Sequence, residues 1–268
     1  MTRFQTRSRR QALAELIGLT GLLVTGGLLA GQGSQTLARS MSGARDASSP
    51  SPASRPPTGS PISPPRGEGM TALDRNLITA AGIGDLDLVM RLLNAGASTR
   101  AADERGRSAL LAALYNRRDD VARALILAGA DVNQKDMESN SAFLLAAATN
   151  QLDALRLALS HGADVRSTDR YDGTALIAAS QHGNVEGVKL LLKAGVPVDR
   201  VNQLGWTALL EAVILGDGSA RYEEIVQLLL DAGADANLAD REGITPSRHA
   251  RERGYKTMVK MLMRARGH

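Results

Sequence analysis

Residues 202–237 carry the pattern that decides the fold: NQLGWTALLEAVILGDGSARYEEIVQLLLDAGADAN. Thr207 precedes a short run of leucine and alanine, and its hydroxyl can accept a hydrogen bond from the unpaired backbone N–H groups that begin a helix. A glycine-containing turn follows, and a second apolar segment ends at Leu228–Leu230. Gly233 suits the left-handed conformation found just past a helix end. The stretch therefore predicts a helix, a turn, a second helix and a projecting loop.

The same unit recurs along the chain at a fixed spacing. Glycines equivalent to Gly233 follow one another at intervals of 33 residues, except for the last interval, which is 38. They are Gly96, Gly129, Gly162, Gly195 and Gly233. The capping hydroxyls keep this period at Ser108, Ser141, Thr174 and Thr207, and so do the core residues Leu77, Leu110, Phe143, Leu176 and Leu209. Because independent positions share one period, we expect units that stack on one another and bury a continuous core.

Apolar residues define one face of each predicted helix. In the first helix of a unit the buried face combines a large residue with alanine, as in Leu176 and Ala179, so that neighbouring first helices can approach closely. In the second helix the spacings of three and four in Val188, Leu191 and Leu192 put those side chains on one face. Both patterns favour an all-α protein.

The opening motif Asn202–Leu209 and the closing motif Leu228–Asn237 resemble those of the ankyrin-repeat family. The resemblance extends over residues 71–266 and covers roughly six repeats. It implies a solenoid of helix-turn-helix repeats in which projecting loops form β-hairpin fingers and the first helices line a concave face. It also implies a non-catalytic scaffold that binds another protein.

Some positions depart from the family pattern. The family's Thr-Pro-Leu-His is Ser-Ala-Leu-Leu at residues 108–111 and Thr-Ala-Leu-Ile at residues 174–177, so apolar packing must replace the usual histidine hydrogen bonds. Arg75 stands where the other repeats have the capping hydroxyl, and Ser247 stands where leucine is expected in the last repeat. The fifth repeat carries extra residues near Gly216–Tyr222, where we expect a flexible loop.

Residues 1–38 have the order of a bacterial signal peptide. Arg7, Arg9 and Arg10 precede an apolar run at residues 16–30, and Thr36 and Ala38 offer small side chains at the two positions that a signal peptidase reads. The twin arginine resembles the signal of that export route, although Ala12 stands where those signals usually have phenylalanine. A periplasmic location is predicted, with an uncleaved inner-membrane anchor or a chance apolar segment as the alternatives.

Proline and serine dominate residues 39–69, which have almost no large apolar side chains. Such a segment cannot bury enough surface to fold alone, so we expect a disordered linker. The predicted organisation is therefore a signal peptide (1–38), a linker (39–69) and an ankyrin-repeat domain (70–268). We expect the repeat domain to be a monomer, with membrane contact only if the N-terminal segment stays uncleaved.

Composition excludes several other classes of protein. Of the 268 residues, 43% are hydrophobic but only 3% are aromatic, which argues against a β-sandwich. The net charge of +4 resides largely in the arginines of residues 1–38, so no nucleic-acid partner is expected. The absence of cysteine excludes disulfides, thiolate metal sites and a cysteine nucleophile.

The sequence carries no recognisable catalytic or cofactor motif. The four histidines, at positions 161, 182, 249 and 268, show no metal-ligand spacing. Gly82–Asp85 lacks the third glycine and the preceding strand of a dinucleotide-binding loop. Neither a phosphate-binding loop nor a nucleophile elbow occurs in the sequence. We therefore predict no cofactor, no metal and no enzyme activity, while an enzyme with an unrecognised site remains the alternative from another class.

The resemblance places candidate partner-binding residues on the fingers and at the ends of first helices, where aromatic and arginine side chains make strong contacts. They are Arg105, Arg107, Tyr115, Met137, Arg170, Tyr171, Gln181, His182, Leu204, Trp206 and Arg241. Two of them have a structural alternative. Trp206 could pack on the adjacent finger instead, and Tyr115 could cover the next repeat.

Overall fold

The computed structural model describes residues 70–265 of the chain. The predicted signal peptide (1–38), the predicted linker (39–69) and His268 lie outside these described residues. Within residues 70–265 the chain forms twelve helices in six pairs, which confirms the all-α prediction. The pairs are α1 (Ala72–Ile83) with α2 (Leu86–Asn94), α3 (Ala109–Tyr115) with α4 (Asp119–Leu127), α5 (Ala142–Ala148) with α6 (Leu152–Ser160), α7 (Ala175–Gln181) with α8 (Val185–Lys193), α9 (Ala208–Ile214) with α10 (Ala220–Asp231), and α11 (Pro246–Glu252) with α12 (Lys256–Ala265).

The helices form two layers. The first helices of successive pairs pack on one another from α1 to α11, and the second helices do the same from α2 to α12. Ala113, Ala146, Ala179 and Ala212, one in each central first helix, are fully buried. Their small side chains let these helices pack closely, as the sequence predicted. Leu111, Leu144, Ile177 and Leu210, which stand in place of the family's histidine, are also buried.

Hydroxyl side chains begin the central first helices at the predicted positions. Ser108, Ser141, Thr174 and Thr207 each accept a hydrogen bond from a backbone N–H one turn into the helix, at 3.2–3.4 Å. The first repeat differs, because α1 begins before Arg75, the position equivalent to those hydroxyls. Thr71 caps this helix, and the Asp74 carboxylate accepts from the Thr71 backbone N–H in return, which forms a capping box.

The projecting loops are tight turns rather than β-hairpins with strands. We call residues 103–107, 136–140, 169–173, 202–206 and 240–244 the first to fifth fingers. In each finger the backbone N–H of the first residue donates to the carbonyl of the last, at 3.0–3.1 Å. The β pairing within the described residues consists of two isolated bridges, Ala102–Ser108 and Thr168–Thr174. The loops therefore project as predicted, and their β pairing within residues 70–265 is limited to these two bridges.

Backbone hydrogen bonds also join neighbouring fingers. Met137 donates to the Arg105 carbonyl at 3.0 Å, Arg170 to the Glu138 carbonyl at 3.2 Å, and Gln203 to the Tyr171 carbonyl at 2.9 Å. The first four fingers are therefore one hydrogen-bonded row along the stack.

The extra residues of the fifth repeat form a short loop at residues 216–219 and the start of α10. They lengthen α10 to 12 residues, compared with 9 in α8. Tyr222 is buried at its start, and its hydroxyl donates to the Gln181 carbonyl at 2.9 Å. Tyr255 donates to the Gly216 carbonyl at 2.8 Å, so an aromatic side chain from the next helix pair also holds this segment in place.

No helix between residues 70 and 265 combines the length and the apolar character needed to cross a membrane.

We expect Leu176→Ala to lower the free energy of unfolding by about 2–5 kcal/mol, because it truncates a fully buried side chain of α7. Thr174→Ala removes one capping hydrogen bond, to the Ile177 N–H at 3.2 Å, and should cost about 1 kcal/mol. Denaturant titrations of the two variants measure both changes, with Lys193→Ala on the exposed side of α8 as the control. The reverse order of the two losses would contradict the helix register.

Candidate protein-binding surface

The predicted contact residues belong to one surface, which we call the finger face. It consists of the five fingers and the C-terminal ends of the first helices α3, α5, α7 and α9. The structure places all eleven predicted residues within this surface. Whether a side chain is available to a partner depends on its exposure and on the contacts that it already makes within the protein.

An aspartate or asparagine forms the base of every finger. Its Oδ1 atom accepts hydrogen bonds from the backbone N–H groups two and four residues later, at 2.7–3.1 Å, which holds the turn closed. These residues are Asp103, Asp136, Asp169, Asn202 and Asp240. These finger-base residues were not predicted, although they follow the same period as the capping hydroxyls and therefore carried a detectable signal.

The second oxygen of each finger-base aspartate has a different environment. Arg107 forms an ion pair with Asp103 at 2.7 Å within the first finger. The Tyr115 hydroxyl donates to Asp136 Oδ2 at 2.6 Å and accepts from the Asn140 side chain at 3.0 Å.

These contacts give Arg107 and Tyr115 structural roles. Burial, together with the hydrogen bond to Asp136, raises the pKa of Tyr115 above its ordinary value. Both side chains are half-buried and stabilise fingers, which matches the structural alternative for Tyr115.

The tips of the second and third fingers form a polar and aromatic cluster. The Arg170 guanidinium lies 4.7 Å from the centre of the Tyr171 ring, donates to its hydroxyl and forms an ion pair with Glu138. Gln203 donates from its side chain to the Arg170 carbonyl at 3.0 Å. Arginine and tyrosine are thus presented together on a braced backbone.

Exposed apolar side chains accompany this cluster. Met137 is 71% exposed and Tyr171 is 40% exposed, on adjacent fingers. The remaining predicted residues differ in exposure: Arg105, His182 and Arg241 are exposed, whereas Gln181, Leu204 and Trp206 are half-buried. The second and third fingers therefore offer the most accessible apolar and aromatic surface of the finger face.

Glu211 is a buried acid that the sequence analysis also missed. It lies on α9, is 1% exposed, and accepts one hydrogen bond at Oε1 from the Asn202 side chain at 2.9 Å. Burial raises its pKa to about 8, and the charge of Asp169 adds to this effect. A glutamate among apolar residues of a first helix was visible in the sequence, but only the structure shows that its side chain points to the finger base.

The described residues contain no cluster of three or more acidic or histidine side chains that could hold a metal ion. His249 instead contacts the finger-base Asp240, with 2.7 Å between Nε2 and Oδ2. The chemistry that this surface offers is therefore hydrogen bonding, charge and apolar contact.

Comparisons with known proteins agree with this geometry. A family model described as ankyrin repeats (3 copies) matches residues 65–136 and 143–240. A crystal structure of an ankyrin repeat domain from Acinetobacter baumannii AYE is 51% identical in sequence and superposes with a TM-score of 0.68. The match covers 70% of this chain and 96% of the Acinetobacter chain. The crystal structure of a second ankyrin repeat protein is 36% identical in sequence and has a TM-score of 0.67. That match covers 71% of this chain and 97% of the other.

A curated relative matches over a shorter stretch. The Escherichia coli (strain K12) protein YahD, which its name describes as an ankyrin repeat protein, is 46% identical over 56 residues. That segment is 21% of this chain and 28% of YahD.

We predict that Glu211→Gln changes how stability depends on pH. The Glu211 pKa is about 8 in the folded protein and 4.5 ordinarily, so between these values the folded state binds more protons than the unfolded chain. Raising the pH through this window therefore lowers the free energy of unfolding of the wild type, by about 1.4 kcal/mol for each unit of pKa difference.

Denaturant titrations at about pH 5 and about pH 9 measure this loss of unfolding free energy, for which several kcal/mol is the upper bound. The Glu211→Gln variant should lose less stability than the wild type across this range. The exposed Glu186→Gln variant should behave like the wild type. Equal slopes for the wild type and Glu211→Gln would show that Glu211 is not held protonated.

Proposed function

This chain belongs to the ankyrin-repeat family, and from that premise we propose that it is a protein-interaction scaffold whose finger face binds a protein partner. Ankyrin repeats are a protein-interaction module, and the fold is generally non-enzymatic. We infer that the protein has no catalytic activity, binds no cofactor and is a monomer.

One observation carries the choice of surface. Met137 and Tyr171 expose apolar area on adjacent fingers, beside the Arg170 guanidinium. Methionine, tyrosine and arginine are enriched at protein interfaces, because each combines a large contact area with adaptability or hydrogen bonding. Isolated exposed apolar residues are normal on a protein surface, whereas these two lie on adjacent fingers that share a backbone hydrogen bond.

The backbone that carries these side chains is ordered before any partner arrives. Each finger is closed by its basal aspartate or asparagine, and the first four fingers are hydrogen-bonded in a row. A surface that is already ordered loses little conformational entropy when it binds. The fingers can therefore present these side chains to a partner at a low cost in conformational entropy.

Export is the second part of the proposal. The basic, apolar and small-residue order of residues 1–38 supports delivery of the repeats to the periplasm, and an uncleaved signal would leave them tethered to the inner membrane. Recovery of a chain that begins near Arg39 in periplasmic extract would support cleaved export. Recovery of only the intact chain in the cytoplasm would contradict it.

A photo-cross-linking amino acid placed at Met137 tests the binding surface in the native cell. The matched control is Leu127, which is 58% exposed and ends the second helix α4. We expect the Met137 variant of the full chain to give a discrete cross-linked protein that mass spectrometry identifies, and the Leu127 variant to give none. Cross-linking from Leu127 alone would place the interface on the second helices.

The affinity of the identified partner then measures the contribution of Tyr171. Tyr171→Ala should weaken binding by about 1–3 kcal/mol, as expected for an interface anchor. Its unfolding midpoint should remain close to that of the wild type, because the side chain is exposed. Leu127→Ala should change neither quantity, and an affinity that resists Tyr171→Ala would contradict the assignment.

A further inference from the structure

The last helix pair is strongly basic, in contrast to the rest of the stack. Residues 246–265 contain six lysine and arginine residues and one acid, Glu252. Residues 70–245 contain 24 acidic residues and 17 lysine and arginine residues. One end of an otherwise acidic stack therefore carries a concentrated positive charge.

Three of these cations form a row along α12, which we call the basic row. Lys256, Lys260 and Arg264 are spaced by four residues, so they lie on one side of the helix at intervals of about 6 Å. All three side chains are exposed, and none has an acidic partner within residues 70–265. The other side of α12 is fixed in the stack, because Met258 and Leu262 are fully buried.

The start of α12 differs from that of the other second helices. The helices α2, α4, α6, α8 and α10 each have an acid in the first turn, where the helix dipole favours negative charge. Helix α12 has no acid there and begins with Lys256, whose charge this position disfavours. Like charges four residues apart also destabilise a helix. Arg264, in the last turn, is the member of the row whose charge suits the helix itself.

Solubility does not require a row of one sign either. A terminal repeat needs a polar outer face because no further repeat covers it, and a mixture of charges meets that need. Helix α8 has such a mixture, since Lys189 pairs with Glu186 at 2.9 Å on its surface. The unpaired charges of the basic row are therefore explained neither by the stability of α12 nor by its exposure.

An exposed apolar side chain accompanies the basic row. Met263 follows Lys260 by three residues, so it lies beside that residue on the helix surface, and 55% of it is exposed. Methionine is flexible and is enriched at protein interfaces. The outer side of α12 thus combines an apolar contact with three aligned charges.

We propose that the basic row binds an acidic segment of a protein, as a second contact surface separate from the finger face. An extended segment advances about 6–7 Å for every two residues, so carboxylates at alternate positions match the spacing of Lys256, Lys260 and Arg264. Met263 contacts the apolar carbons of the same segment.

A short acidic segment fits the basic row better than an extended anionic surface does. Helix α10 packs beside α12 and carries three acids and one arginine. A membrane or a nucleic-acid backbone extends beyond α12, so it would also approach these acids and be repelled by them. A helix that lies in a membrane surface further needs a free apolar face, and that of α12 is buried in the stack.

The test measures the fluorescence anisotropy of a labelled peptide, Glu-Ser-Glu-Ser-Glu-Ser-Glu, titrated with the full chain at low ionic strength. The matched control peptide has glutamine in place of every glutamate. We expect the glutamate peptide to bind saturably, with an affinity that falls as salt is added, because salt screens exposed charges. The glutamine peptide should not bind.

Two triple variants with the same change in net charge locate the binding surface. Replacing the basic row by glutamine should weaken the glutamate peptide about tenfold, since it removes three exposed ion pairs. The control replaces three exposed cations of other second helices by glutamine, and it should leave the affinity unchanged. These control positions are Arg91, Arg123 and Lys193.

A stability measurement separates binding from a structural role. Lys256→Gln removes a positive charge from the start of α12, so the unfolding midpoint should stay the same or rise. A lower midpoint would show that Lys256 stabilises the fold, and it would contradict the reason for assigning the row to binding.

Three binding results would overturn the inference. They are equal binding of the glutamine peptide, equal weakening by the control triple variant, and tighter binding of phosphatidylglycerol vesicles or duplex DNA that depends on the basic row. The last result would assign the row to a lipid surface or to a nucleic acid. The Met137 cross-link tests the finger face separately, so this inference and the proposed function can fail independently.

Discussion

The finger face depends on one hydrogen-bonding arrangement, in which a short acidic or amide side chain closes a five-residue turn. One oxygen of each finger-base residue accepts from two backbone N–H groups that the turn would otherwise leave unpaired. This fixes where the next capping hydroxyl lies, and hence where the next first helix begins. The second carboxylate oxygen of an aspartate at this position is not needed for the turn, and its partner changes from finger to finger. The partner is Arg107, Tyr115 or His249 in three of them.

The sequence was sufficient for the parts of the fold that repeat. Period, capping hydroxyls and alanine-rich first helices follow from local preferences, and the structure confirms them at Ser108, Ser141, Thr174 and Thr207. The contacts that the sequence did not reveal lie where the repeat is broken. Helix α1 has its own cap at Thr71, and the inserted residues before Tyr222 are held by contacts from 39 to 41 residues away, which no local pattern reports.

The exposure of the predicted contact residues could be inferred from the sequence, but the contacts that they make could not. Residue type and repeat position correctly place Met137 and Tyr171 on exposed fingers, because the fingers project from the stack. They do not reveal that Tyr115 uses its hydroxyl on Asp136 of the next finger, or that Arg170 pairs with Glu138 of the preceding one. Those facts depend on pairs of side chains from different repeats. The buried Glu211 is a related case, because its bond to Asn202 joins a first helix to a finger base.

Native-state hydrogen exchange of the finger amides tests most directly whether the basal side chains hold the finger face in place. The account predicts slow exchange for the N–H groups of Arg107, Asn140, Gly173, Trp206 and Ile244, which donate to those side chains. Asp136→Ala should accelerate exchange in the second finger and, through the Arg170–Glu138 backbone bond, in the third, while the fifth finger stays protected. Exchange of all these amides at the rate of an unstructured chain in the wild type would contradict the account.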